Sequence, residues 1–425
     1  MEISKHIRIV CLALLCFAMP GCLAFGQQQG GEDGGAVVPP SANGDSLFVS
    51  LLTCSPGVDA YAMFGHTALR VRQLGTPTDV VYNYGVFDSR QENFIWHFVI
   101  GHTDYELRPQ SAQRFFGRYL ADGQTVWEQV LCLTAEQRAM VQALLDTNAL
   151  PENRTYRYNF LYDNCSTRVR DMLERLFGNA SPSALADAPA LAYAPVEEKT
   201  QREMLHEFTA SAPWTAFGID MVLGMEVDQP IGRHEQMFLP SYLQRMADEA
   251  NVCTDSTEAP FVLQTLTWQP ETPATPAASF PIGPKAAFWL LFALALGFTY
   301  IDYRRQQAML WFDIVLYIVQ GTAGIIIAGL FFCSEHPAVG TNLLVFVFNP
   351  LVFLMIPNLL RWRRKHKPLI SLLGMDMLEV IYAAAIIVLL LLYVLPLQWL
   401  HPALLPLALT LLMRSVLHLA LARKM

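Results

Sequence analysis

The chain has 425 residues, of which 53% are hydrophobic and only 16% charged, and its mean hydropathy of +0.29 excludes an ordinary soluble globular protein. The formal net charge of −8 divides unevenly, with an acidic N-terminal part and a basic, apolar C-terminal part, which argues against nucleic acid as a partner.

In chain order, MEISKHIR is a short basic stretch and an apolar run from Ile9 to Met19 follows it, the layout of a secretory signal. Residues 1–26 therefore read as a signal sequence or an N-terminal anchor. Gly21-Cys22 offers a lipoprotein processing site that Met19 and Pro20 fit poorly. Residues 27–46, QQQGGEDGGAVVPPSANGDS, read as a flexible tether. Residues 47–257 are long enough for one exported domain with its own core. Within it LFVSLLTC (47–54) has the composition of a buried strand, and ALRVRQ (68–73) and DVVYNYGVF (79–87) alternate as half-buried strands do. FIWHFVIG (94–101) suits a strand or a short helix. Residues 109–121 and 134–149 read as helices, the second opened by Thr134 and Gln137 at capping-box spacing. Residues 211–232 read as a packed, irregular segment near the site. Strands first and helices later predict an α+β domain. Residues 258–284 read as a Pro-rich linker onto the membrane.

Residues 285–425 contain about five segments long enough to cross roughly 30 Å of hydrocarbon, over 286–303, 311–332, 342–360, 378–397 and 402–422. Arg304 and Arg305 follow the first, Arg361, Arg363, Arg364, Lys365 and Lys367 the third, and Arg423 and Lys424 the fifth. The loops between, SEHPAVGT and QWLHP, carry neither Lys nor Arg. This alternation places the exported domain outside the cytoplasm and the C-terminus inside it.

Outside the signal the cysteines are Cys54, Cys132, Cys165, Cys253 and Cys333. An exported compartment permits disulfides among Cys54, Cys132 and Cys253, and an odd thiol is left over. Cys165 directly follows Asn164, a helix N-cap type, and opens an amphipathic helix on which Val169, Met172, Leu173 and Leu176 share a face. A cysteine there feels the positive end of the helix dipole and unbonded N–H groups, which favour the thiolate. His66, at the start of a predicted strand in FGHTALRV, supplies a base for such a nucleophile.

The blocks FGHTALRV, YNYGVFD, NFIWHFVIGHTDYELR and YNFLYDNCSTRVRD, with SEHPAVGTNLLVFVFNPL near the third span, resemble the Lnb family of Bacteroidota membrane proteins. The resemblance covers nearly the whole mature chain. It implies lipoprotein N-acyltransferase activity and a circularly permuted papain-like domain, with histidine preceding cysteine as in the lecithin:retinol acyltransferase group. It also implies a bacterial inner-membrane protein with its catalytic domain in the periplasm, an all-α membrane domain, Cys165 as nucleophile and His66 as base. It fixes no third residue.

On this expectation Cys165 takes an acyl chain from a phospholipid or lipoprotein donor as a thioester and passes it to the α-amine of a diacylated lipoprotein, with the bilayer as partner. Helix N–H groups at Cys165 would stabilise the oxyanion, an effect of roughly 3–4 kcal/mol per donor. Asn83, one strand beyond His66, is the favoured orienting residue, with His97, Asp104, Tyr82 and Tyr84 as rivals. Asn164 and Tyr162 are candidate lining residues. His336 and Asn342, with Asn349, are candidates at headgroup height. Arg168 and Arg170 suit either a phosphate or a solvated helix face. The histidines have no HExxH or Cys/His cluster spacing, and there is no Gly-rich phosphate loop, so no metal or other cofactor is expected. A thiol hydrolase of the periplasm uses the same Cys165 and His66, and a membrane-tethered scaffold needs neither; five spans suit lipid substrates better than cell-wall peptides.

Overall fold

The computed structural model describes residues 47–59, 62–87, 94–178, 190–253, 258–275, 280–364, 368–372, 375–395 and 397–422. The expected signal and tether (1–46), the side chain of Cys253, and Lys365, Lys367, Arg423 and Lys424 lie outside the described residues. The chain divides into two compact units. One runs up to Lys199 and resumes over Pro230–Ala278; the other comprises Thr200–Gln229 and Ser279–Met425.

The first unit is built on β1 (Leu47–Cys54), β2 (His66–Gln73), β3 (Asp79–Val86), β4 (Asp104–Ser111), β5 (Val126–Leu131), β6 (Thr155–Arg157) and β7 (Val262–Trp268). They form one antiparallel sheet in the order β7-β5-β1-β2-β3-β4-β6. β1 lies near the middle and is buried on both faces, which is why LFVSLLTC shows no alternation. Helices α1 (Phe94–Ile100), α2 (Ala112–Ala121), α3 (Ala135–Asn148) and α4 (Cys165–Leu176) are interleaved with the strands. α2 buries Phe115 and Phe116 against Leu52, Cys54, Ala68, Val81 and Val126 of the sheet. α3 opens with the capping box of Thr134 and Gln137. α4 packs on β2 and β3. The domain is α+β, with an N-terminal sheet unit followed by a helical one.

Three expectations need correction. The helix read from 109 starts at Ala112, because β4 runs on to Ser111, whose side chain then caps the helix at Arg114 N–H. The stretch read as a linker from 258 begins instead with strand: β7 pairs with β5 and forms the sheet edge, its side chains alternating in exposure. Ala274 then donates to the carbonyl of Gly123, so part of the Pro-rich stretch is seated on this unit. Cys54 and Cys132 are free thiols, so neither forms the disulfide that the sequence allows; Cys54 is committed to the core under α2.

In the second unit α5 (Gln201–Thr209) and α6 (Pro213–Val222) join α7 (Pro284–Arg305), α8 (Leu310–Cys333), α9 (Met355–Arg363), α10 (Met377–Leu392) and α11 (Leu404–Ala422). Among the described residues, four stretches are long and apolar enough to cross a membrane, namely Pro284–Arg305, Leu310–Cys333, Pro337–Arg363 and Leu404–Ala422, and Met377–Leu392 is a shorter apolar helix. They coincide with the five segments expected from the sequence. The third is broken into 3₁₀ turns over Leu343–Phe346 and Pro350–Leu354 before α9 begins. Gln320 of α8 bonds the freed carbonyl of Val347 at 2.9 Å, and Gly321 and Gly324 let Phe353 and the Asn349 backbone approach α8 closely.

Four spans also share a buried ionic cluster. Arg414 of α11 bonds Asp313 of α8 through Nε and Nη2 at 2.7 Å, and Asp302 of α7 at 2.7 Å. His418 lies 3.0 Å from both Asp313 and Glu379, the latter on α10.

The segment Thr200–Gln229 belongs to this helical unit rather than to the sheet. Arg202 bonds Asp228 at 2.6 Å and Asp220 at 2.9 Å, Trp399 N–H donates to Asp228, and Gly224 lies against Thr341 and Asn342. The stretch 211–232 is accordingly mostly helical, and Gly224 within it serves this packing.

Candidate active site

Asn164 makes the start of α4 what it is. Its Oδ1 accepts from the N–H groups of Ser166 (2.8 Å) and Thr167 (3.0 Å), and Thr167 returns a bond to the Asn164 N–H. Its amide nitrogen donates to the carbonyls of Phe160 and Phe238. Every polar atom of this buried side chain is thereby used, so Asn164 fixes the helix end rather than lining a site. It also consumes two of the helix N–H groups expected for an oxyanion, leaving that of Cys165 itself.

His66 reaches Cys165 from β2. The β1–β2 register sets His66 opposite Cys54, and the β2–β3 register sets Arg70 opposite Val81, so alternation carries His66 and Asn83 to one face. His66 Nε2 lies 2.5 Å from Asn83 Oδ1. An amide oxygen accepts, so Nε2 carries the proton and Nδ1 is left for the Cys165 thiol, to which the ring is hydrogen-bonded. The Tyr119 ring stacks on the imidazole, 5.8 Å between centroids and 11° from parallel. Thr67 Oγ1 and Ser166 Oγ, 2.9 Å apart, tie β2 to α4.

Burial opposes charge on the Cys165 sulfur. The neighbouring His66, its hydrogen bond, the Thr67 N–H and the Ser166 hydroxyl outweigh it and hold the thiol below the ordinary cysteine value. Burial likewise disfavours the imidazolium, but the Cys165 thiolate and the Asn83 bond hold His66 above the ordinary histidine value. Both shifts run toward the charged forms, thiolate on Cys165 and imidazolium on His66. Burial, followed by the Cys165 charge, pushes the Cys54 thiol well up, so the second sulfur near the site stays protonated.

Gly85 leaves room in front of this pair. It sits at φ +88°, in the irregular stretch of β3 where the register with β4 shifts between Asn83 and Val86. A Cβ there would lie 3.7 Å from Cys165 Cβ, 3.8 Å from His66 Cε1 and 3.9 Å from Tyr156 Oη.

Of the expected site residues, the structure brings Cys165, His66 and Asn83 together. The rivals of Asn83 have other partners: Tyr82 bonds Asp146, Tyr84 accepts from Asn148 at 2.9 Å, Asp104 pairs with Arg157, and His97 is exposed on α1. Tyr162 is exposed on the turn before α4. His336 precedes a short helix of the membrane unit. Asn342 is buried there, bonding Met221 O, Leu344 N–H and Gln398, and Asn349 caps a 3₁₀ turn. Arg170 is buried and bonds Asp171 and the His234 carbonyl, so it is no solvated face. Arg168 is gripped by Asp163 at 2.6 and 2.8 Å. Asp171, Glu174 and His234 bring ligand-type atoms within 4.8 Å of one another, a grouping invisible in sequence spacing, but Arg170 and the His234–Glu174 bond already engage them. Tyr119, Gly85 and Tyr156 were not singled out by sequence; only the glycine inside a strand pattern carries a signal.

Residues 40–198 match the Lnb N-terminal periplasmic domain, and residues 276–425 match the Lnb transmembrane domain. The chain belongs to the Lnb family. No curated protein and no solved structure matches it. It is thus a multi-pass membrane protein with a periplasmic N-terminal domain, and the Cys165 site lies within that domain.

Proposed function

We propose that this Lnb-family protein is a lipoprotein N-acyltransferase with Cys165 as nucleophile. The observation that carries the reading is the hydrogen-bonded pair of Cys165 and His66, oriented by Asn83 and shifted toward its charged form, in a chain that also holds a unit of apolar, membrane-length helices. The Cys165 sulfur attacks an acyl ester of a phospholipid or lipoprotein donor. His66 gives its Nδ1 proton to the departing glycerol oxygen, leaving a thioester and a neutral ring. The α-amine of a diacylglyceryl-cysteine then attacks the thioester, His66 takes the amine proton, and the thiolate departs beside a restored imidazolium. Amide formation from a thioester is downhill, and a buried site favours the amine over water. The basic ends of the first and third spans favour a cytoplasmic C-terminus.

The test is incubation of the purified protein with phospholipid alone, followed by mass spectrometry of the Cys165 peptide. A hydroxylamine-labile acyl mass, absent from Cys165→Ala, is expected; rapid release of free fatty acid without transfer to an amine would favour a hydrolase.

A further inference from the structure

Tyr156, at the centre of β6, is 7% exposed, and among the described residues its hydroxyl has no hydrogen-bond partner. A buried phenol O–H without an acceptor forfeits a hydrogen bond it would have made in water, so its retention calls for a partner that arrives from outside the chain. The hydroxyl is aimed at the space before Gly85, 3.9 Å from where a Cβ would stand, and that point is also 3.7 Å from Cys165 Cβ and 3.8 Å from His66 Cε1. Nucleophile, base and orphan donor therefore surround one small volume that only a glycine leaves open.

The ring is held rigidly. Arg168 lies over its face with the guanidinium carbon 3.8 Å from the centroid, and Asp163 grips that guanidinium. β6 is paired to β4 with Tyr156 opposite Tyr105. Burial first, and the thiolate second, push the phenol up from its ordinary value, so it keeps a proton to donate.

We propose that Tyr156 is a side-chain donor of the oxyanion hole, binding the acyl carbonyl oxygen before Gly85 together with the N–H of Cys165. When the sulfur attacks, the C–S bond forms, the carbonyl π pair moves onto oxygen, and the Tyr156 O–H shortens its bond to that charge while keeping its proton. This rests on Cys165 attacking a carbonyl, and it deepens the acyltransfer reading by naming what stabilises its intermediates. It also replaces the helix N–H groups of Ser166 and Thr167, which Asn164 has taken.

Tyr156→Phe removes only an atom that bonds nothing in the free protein, so it should fold as the wild type does. The full-length protein in detergent is titrated with a fatty aldehyde, which Cys165 converts to a hemithioacetal: sulfur adds to carbon, and the oxygen takes the His66 proton. The expected result is roughly 100-fold weaker aldehyde binding by Tyr156→Phe, with iodoacetamide alkylation of Cys165, which forms no oxyanion, unchanged in rate and pH profile. Equal aldehyde affinity in both proteins, a parallel fall in alkylation, or no aldehyde adduct on a Cys165 that alkylates normally would each overturn the assignment. Failure of the acyltransfer reading looks different: aldehyde binding stays Tyr156-dependent while no acyl chain reaches a lipoprotein amine.

Discussion

Asn83 Oδ1 and His66 Nε2 are 2.5 Å apart across neighbouring strands, and this one bond decides which ring nitrogen faces Cys165. Asn83→Ala frees the ring to rotate and change tautomer. The expected loss in kcat is on the order of 10²-fold. Because the Asn83 bond helps to hold His66 up, its removal should also move the alkaline limb of the pH–rate profile downward. An Asn83→Ala enzyme with wild-type kcat and profile would remove Asn83 from the site.

The pair sets the sign of the pH dependence. Cys165 is lowered and His66 raised, so both shifts favour the charged pair over the neutral one. Activity falls at acid pH as the thiolate protonates, and at alkaline pH as the imidazolium loses the proton that the leaving alcohol needs. In His66→Asn, burial dominates and the thiol rises. Iodoacetamide alkylation of Cys165 should then slow at neutral pH, and its midpoint should shift upward; an unshifted midpoint would mean that His66 does not charge the thiol.

Gly85→Ala should fold with a modest penalty of about 1–3 kcal/mol for an L side chain at φ +88°. The new methyl stands where the carbonyl is proposed to bind, 3.7 Å from Cys165 Cβ. Acyl-ester turnover should fall by at least 10²-fold, while a small alkylating agent still finds the sulfur. Retained turnover would place the substrate elsewhere.

Much of this site is legible in the chain. The Asn-Cys junction before an amphipathic run announces a capped helix, and two alternating strands put His66 and Asn83 on one face once their register is known. Tyr119 is not legible, because α2 is brought over His66 only by packing of Phe115 and Phe116 on the sheet. Nor is Tyr156, since its meaning lies in having no partner. The place of Thr200–Gln229 in the membrane unit is equally hidden: it depends on Arg202 closing on Asp220 and Asp228 and on Gly224 meeting Thr341, contacts that no local pattern encodes.

The ionic cluster of the spans should be structural and unforgiving. Arg414→Ala leaves Asp302 buried without its cation and strips Asp313 of one of its two partners, His418 being the other, at a cost of about 3–5 kcal/mol. The expected outcome is a lower unfolding temperature in detergent and a reduced yield of membrane-inserted protein. Wild-type thermal stability would show that the spans do not depend on this ion pair.

Acyl transfer through Cys165 is tested most directly in cells that lack their own N-acyltransferase and carry a reporter lipoprotein, by mass spectrometry of the reporter's N-terminal peptide. With the wild-type protein the peptide should gain one amide-linked acyl chain, and with Cys165→Ala at equal expression it should gain none. A reporter left diacylated by well-expressed wild-type protein, or triacylated equally by Cys165→Ala, would contradict the account.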